Sequence, residues 1–370
     1  MPTTEGTRPL RISFYTRGTA FNGNTIKNKG LGGSESALLY LARELAKRGH
    51  DVNVFCSCDE PGRYDGVNYH HAEDLIAFCD AQPQDVCIFS RLLETLASAS
   101  ARVKILWLHD IAAIQYYIDA LPALDHLIDR YFLISAWQQQ GFTDTFEFGK
   151  EKLFLTRNGV DLSLFDDPPT RRSNKLVYIN TPFRGLDVLV NLFPHIQQAA
   201  PGVELHLYTG MSLYGEQFSA MEQQLQALYK HAHKMPGVVL HEPIAKAKLA
   251  RELMSARLAL YPSHFPECCS IASLETQAAG TPMITSALAG LNDTIVHEKT
   301  GILIPVDNPE LRSRSRQYQV AFLNHTIRLL KDDAAWQTLS NNAMRNAADH
   351  YSWQDIAAEW ETEFFNVLDH

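Results

Sequence analysis

The chain has 370 residues, 45% of them hydrophobic and 20% charged, with a formal net charge of −9. That length suits two domains, and the balance is that of a soluble globular protein. The acidic excess, with no basic stripe, argues against a nucleic-acid partner and weakens attachment to an anionic membrane surface, while leaving room for peripheral contact. Cysteines stand at 56, 58, 79, 87, 268 and 269, mostly inside apolar runs and without paired Cys-x-x-Cys motifs. Reduced, buried thiols in a cytoplasmic protein are therefore expected, without structural zinc. Residues 1–8 are polar, with no apolar segment of a secretory signal. The best candidate for a membrane span is broken by His109-Asp110.

Taken in order, residues 10–16 read as a strand, followed by a polar, glycine- and asparagine-rich loop over 17–33. Ser34 can cap a helix over 35–48 that turns Leu38, Leu41, Ala42 and Leu45 inward. Residues 51–56, 85–90, 103–108, 131–135 and 152–156 read as further strands with helices between, one of them over 114–128. The polar, proline-bearing stretch 166–174 is the predicted linker. Beyond it the alternation restarts: strands over 176–180, 204–208 and 238–241, with helices over 186–199, 216–231 and 246–255. A strand over 257–262, a helix over 270–279 and strands over 281–285 and 301–305 follow. The tail from Pro309 is helical in three segments. This predicts an α/β protein of two Rossmann-like, doubly wound domains, 1–165 and 166–351. Arg312, Arg314 and Arg316 read as a solvated basic face.

Chemistry is expected in loops at the carboxyl ends of strands. The most informative stretch is 263–282, where Glu267 sits between a strand and a helix and Glu275 lies one to two turns into that helix. Backbone N–H groups near Cys268, Cys269, Ser270 and Ile271 form a helix N-terminus, a site suited to an anion. Gly280 can stop the helix and Pro282 forbids its continuation. The competing reading is an amphipathic helix with two solvated glutamates. Gly32-Gly33, followed by Glu35, precedes the first helix and allows close backbone approach to a ligand, or simply turns the chain into that helix. It matches neither a phosphate-binding P-loop nor the dinucleotide fingerprint, which places a nicotinamide-dependent dehydrogenase last. His109-Asp110 ends a buried strand, and Arg184-Gly185 follows the first strand of the second domain. No Asp-x-Asp motif occurs.

Glu267, seven residues, Glu275 and then Gly280-Thr281-Pro282 resemble the donor-site signature of the retaining glycosyltransferases of family 4. Asn158-Gly-Val-Asp161 and Thr300-Gly301 through Pro305 are similar to further patterns of that family. Cys268-Cys269-Ser270 stand where its members usually have Gly-Phe-Gly, and Arg184 stands where they usually have a lysine. The resemblance implies GT-B architecture, two domains facing a central cleft, with the C-terminal helix, about 352–370, crossing back to join the first. It implies a hexosyl or other glycosyl transfer, with retention, from a nucleotide-diphosphate sugar to a glycan, lipid-linked or small-molecule acceptor in carbohydrate biosynthesis. A UDP-sugar is the favoured donor, and neither a cofactor nor a metal is expected. By the same resemblance Glu267, His109 and Arg184 are catalytic: Glu267 and His109 contact the transferred sugar, and Arg184 reaches the diphosphate. Gly32, Gly33, Cys269, Ser270, Ile271 and Glu275 bind the donor, with Glu275 on its ribose. A GT-B-like sugar-nucleotide epimerase and a non-catalytic sugar-nucleotide binding module are the alternatives.

Overall fold

A computed structural model describes residues 8–167, 174–211 and 219–369. Two compact units emerge, one comprising Met1–Thr25, Ser34–Arg157 and Trp353–His370, the other Ile26–Gly33 and Asn158–Ser352. Most of the stretch expected as a linker lies outside the described residues, as does the start of the helix expected over 216–231; its described part runs Ser219–His233.

The first unit is built on β1 (Arg11–Tyr15), β2 (Asp51–Cys56), β3 (Gly62–Tyr64), β4 (Val67–His71), β5 (Gln84–Ser90), β6 (Ala101–Leu108), β7 (Arg130–Leu133) and β8 (Leu153–Leu155). They form one sheet in the order β3-β4-β2-β1-β5-β6-β7-β8, parallel except for the β3-β4 pair. The sequence reading passes over that hairpin, although Asp65 and Gly66 both take positive φ, as a tight two-residue hairpin turn requires. The helix expected over 114–128 is shorter, Gln115–Leu124, and continues as a 3-10 turn, Asp125–Leu127. The helix expected to begin after a Ser34 cap starts instead at Gly33 and runs to Lys47, so Ser34 lies inside its first turn.

The final helix, Trp353–Leu368, belongs to this first unit. Trp360 is fully buried, its ring edge-on to Trp107 at 4.8 Å and to Phe132 at 4.4 Å. Its indole Nε1 donates to Thr156 Oγ1 at 2.7 Å. Charge pairs line the helix: Glu359 with Arg157, Glu363 with Arg130, and Glu361 with Arg48. His50 is buried beside Glu361, its Nε2 2.9 Å from Oε1, while its Nδ1 accepts from the backbone of Leu10.

The second unit carries β9 (Lys175–Tyr178), β10 (Glu204–Tyr208), β11 (Val238–His241), β12 (Leu258–Tyr261), β13 (Met283–Ala287) and β14 (Gly301–Pro305). Every pair is parallel, in the order β11-β10-β9-β12-β13-β14. Parallel strands need both faces covered, and here the leucine-, isoleucine- and valine-rich strands share one buried core with helix residues such as Leu189, Phe193, Leu253 and Phe322. The order reverses between β9 and β12, the point in an open parallel sheet where ligand crevices form at the carboxyl ends of the strands.

All six cysteines are buried thiols. Among the described residues no helix is long and apolar enough to cross a membrane. Burial also pushes the pKa values of His50, His70, His206, His241, His264 and His325 below the ordinary range. A depressed histidine is neutral in the fold, whereas the unfolded chain takes up protons near pH 6.5. The unfolded state therefore binds more protons as the medium acidifies, and stability rises with pH through this window. We expect the urea midpoint to fall steadily from pH 7.5 to pH 5.5; a flat profile would show that these imidazoles titrate alike in both states.

Candidate functional site

Two loops of the second unit meet at the crevice between β9 and β12. After β9, Thr181 leads into a single 3-10 turn, Pro182–Arg184, closed by Gly185 at φ +131°. A β-carbon on Gly185 would stand 2.3 Å from the carbonyl oxygen of Pro262. Glycine is thus required twice here, for its backbone angle and for the approach of the loop that follows β12.

That second loop presents Glu267. Its carboxylate is about nine-tenths buried and receives three contacts from two donors. Arg184 Nη1 lies 2.8 Å from Oε1 and 3.0 Å from Oε2, and the Tyr261 hydroxyl donates to Oε1 at 2.5 Å. The Arg184 guanidinium lies over the Phe265 ring, 4.1 Å from its centre, which removes water from one face of the pair. A half-buried ion pair of this kind is screened less than a surface one. From the other side, the backbone N–H of Gly290 donates to the Glu267 carbonyl at 2.8 Å. A β-carbon at Gly290 would come within 1.8 Å of the Cys268 oxygen, so no larger residue fits.

The helix that follows, Ile271–Ala278, starts at Ser270, whose side chain makes no cap hydrogen bond. Cys269 and Ser270 are buried, and the Cys269 carbonyl accepts from Asn158 Nδ2 at 3.0 Å. Asn158, the first residue of the Asn158-Gly-Val-Asp161 pattern, thus supports the loop directly. Glu275 is buried on the helix and its Oε1 accepts from Lys246 Nζ at 2.5 Å. Lys246 opens the helix Lys246–Met254 and was not singled out by the sequence reading. Gly280 takes φ +61° behind the helix, as a terminating glycine does.

Arg312 and Arg314 are not simply a solvated face. Arg312 donates to the carbonyl oxygen of His264, while Arg314 pairs with Asp187 at 3.0 Å and reaches His264 Nε2 at 3.3 Å. They tie the two loops together, a role invisible without knowing that β14 brings its following segment to the same carboxyl end of the parallel sheet.

Of the remaining expected residues, Gly32 and Gly33 fall in this second unit, where a β-carbon on Gly33 would stand 3.8 Å from Ile271 Cδ1, and His109 falls in the first. His109 follows β6 in the first unit, its ring 4.4 Å from that of Trp107. Its neighbour Asp110 forms a two-point pair with Arg91 at 2.7 and 3.1 Å, and Arg91 adopts φ +69°, an unusual backbone for a non-glycine residue. Gly32 is buried and Gly33 opens the first long helix. The second unit therefore contains Gly32, Gly33, Arg184, Glu267, Cys269, Ser270, Ile271 and Glu275; His109 stands in the other unit. Among the described residues no group of three or more His, Cys, Asp or Glu side chains could hold a metal ion.

Lys246 gives a direct check on whether this arrangement takes the nucleotide that the resemblance implies. Lys246→Met leaves Glu275 buried without its cation, and Glu275→Ala removes the carboxylate itself. Each is expected to weaken UDP binding, by roughly tenfold for the lost charge-assisted contact, as read by calorimetry. Unchanged affinity in both variants would remove this ion pair from the binding surface.

Comparison with known proteins sets this geometry in context. Residues 175–332 match the family described as Glycosyl transferases group 1. The chain is 28% identical over 226 residues to a D-inositol 3-phosphate glycosyltransferase of Xylanimonas cellulosilytica, covering 56% of this chain and 50% of that one. It is 26% identical over 239 residues to a glycogen synthase of Mycobacterium tuberculosis, covering 62% and 52%. The chain spans about half the length of these curated relatives. Among solved structures, a sucrose-phosphate synthase of Thermosynechococcus elongatus superposes with a TM-score of 0.75 at 18% identity, over 97% of this chain and 99% of that one. HepE of Anabaena, in complex with UDP-glucose, does so with a TM-score of 0.70 at 16% identity, over 96% and 100%. The shared architecture is the GT-B fold.

Proposed function

We propose that the protein, whose residues 175–332 match the group 1 glycosyl transferases, is a retaining glycosyltransferase of the family 4 type, which moves a sugar from a nucleotide-diphosphate donor to a glycan, lipid-linked or small-molecule acceptor. One observation carries this reading. At the point where strand order reverses, two buried glutamates, each paired with a cation, flank a helix N-terminus.

On this reading the donor diphosphate lies against the backbone N–H groups of Cys269, Ser270 and Ile271 and near Arg184. Helix dipole and guanidinium together meet the charge that builds on the leaving diphosphate. Glu267 faces the sugar, where an anion favours the positive charge that develops at the anomeric carbon. Glu275 takes the ribose hydroxyls, exchanging part of its contact with Lys246 for them. His109 and the Gly32-Gly33 turn are assigned to the transferred sugar and the donor. No metal ion is assigned a role, since the charge stabilisation comes from these groups. The UDP-glucose bound to HepE makes a UDP-sugar the first donor to test.

A thermal-shift screen against UDP-, GDP- and ADP-sugars tests the proposal, because a ligand that binds only the folded state raises the melting point. One nucleotide series should stabilise the chain, and its sugar should be released from the nucleotide when acceptors are supplied. No shift with any series would overturn the reading.

A further inference from the structure

Glu267 is held more elaborately than a sugar-facing carboxylate requires. Its two oxygens are not equivalent. Oε1 takes both the Tyr261 hydroxyl, at 2.5 Å, and Arg184 Nη1, at 2.8 Å; Oε2 has only the longer Arg184 contact, at 3.0 Å. A carboxylate oxygen offers about two lone-pair sites. Oε1 is thereby filled, and Oε2 keeps acceptor capacity for another hydroxyl.

Tyr261 can act only from a fixed place. It is the last residue of β12, is fully buried, and packs edge-on against Tyr178 of β9 with ring centres 6.0 Å apart. Tyr178 is fixed in turn, its hydroxyl donating to the Thr181 carbonyl at 2.6 Å. Pro262 follows at once, and the Ser263 N–H closes a tight turn onto the Tyr261 carbonyl at 2.7 Å. The phenol therefore rises from the floor of the sheet, while Arg184 arrives from the neighbouring loop. Burial and the nearby Glu267 charge push the Tyr261 pKa well above its ordinary value, so the hydroxyl remains a donor.

We propose that Tyr261 is a positioning residue, which together with Arg184 locks the Glu267 carboxylate in one orientation and leaves Oε2 as the oxygen presented to a hydroxyl of the donor sugar. The proposal rests on the transferase reading above and adds to it a specific division of labour. Tyr261 touches neither sugar nor diphosphate; it acts only through Glu267. A rotation of that carboxylate would misdirect the charge by about an ångström, and misplacement on that scale costs on the order of 100-fold in rate.

Tyr261→Phe keeps the ring and its packing and removes one hydroxyl. With the donor selected by the thermal-shift screen, we expect kcat for sugar release to fall about 10- to 100-fold. UDP affinity should stay within about twofold, because the phosphate- and ribose-facing groups are untouched. The melting point should move little. In a Glu267→Gln background, the same Tyr261→Phe change should add less than about a threefold further loss, since the group it orients is already altered. Wild-type turnover in Tyr261→Phe overturns the proposal. So does a parallel loss of UDP affinity and rate, which would mark Tyr261 as general support for the loop. Failure of the transferase reading looks different: Glu267→Gln itself would then leave turnover unchanged, or no donor would bind.

Discussion

Replacing Glu267 with alanine should reduce sugar transfer by about a thousandfold or more while leaving UDP binding measurable. The size follows from electrostatics. A carboxylate about 4 Å from a developing unit charge is worth roughly 4 kcal/mol at the effective dielectric of a partly enclosed site, and each 1.36 kcal/mol is about tenfold in rate. Alanine has a second effect, because it removes the acceptor to which the Arg184 guanidinium and the buried Tyr261 hydroxyl both now donate. Glutamine separates the two. It preserves volume and accepts hydrogen bonds but carries no charge, so a loss of similar size in Glu267→Gln assigns the effect to the anion. Initial rates with the identified donor, alongside calorimetric UDP titrations, make the comparison. A Glu267→Ala enzyme that works at the wild-type rate would show that the role assigned to this residue is wrong.

The largest effect on stability is expected at Trp360. The side chain is fully buried between Trp107 and Phe132, with its one polar atom satisfied by Thr156. Truncation to alanine removes a large aromatic body and leaves a hole lined by rings that cannot collapse into it. Such changes cost about 3–5 kcal/mol. In urea, Trp360→Ala should lower the midpoint of the first unit's transition. Trp360→Phe, which refills much of the volume and loses only the hydrogen bond and the outer ring, should fall between the two. A wild-type midpoint for the alanine variant would mean that this helix contributes little to the unit it packs on.

How much of this was readable in the chain differs between elements. The strand–helix alternation was plain, because parallel strands buried on both faces read as apolar runs such as 258–261 and 302–304. The turn at Gly280 and the placing of Glu267 ahead of a helix were also local, needing only the spacing of glutamates, glycine and proline. The β3-β4 hairpin was not seen, since its strands are short, polar and at the edge of the sheet. What surrounds the glutamates was harder still. Arg184 and Glu267 are 83 residues apart, and Lys246 meets Glu275 across 29. Their contact depends on β9 lying beside β12 and on a helix arriving from the far side, which no local pattern encodes. Tyr261 read simply as the apolar end of a strand, because a tyrosine used for its hydroxyl and one used for its ring look alike in sequence. Arg312 and Arg314 read as surface charge for the same reason: three arginines at alternate positions reveal nothing of what they face.

The membership of Trp353–Leu368 in the first unit bears on how the protein is made. About 150 residues of that unit leave the ribosome early, but the helix that covers Trp107 and Phe132 comes roughly 200 residues later. At about 5–20 residues per second, the growing chain spends on the order of 10–40 s with that aromatic surface uncovered. The other unit can close as soon as its own last strand and helices emerge, so the part translated first is the part finished last.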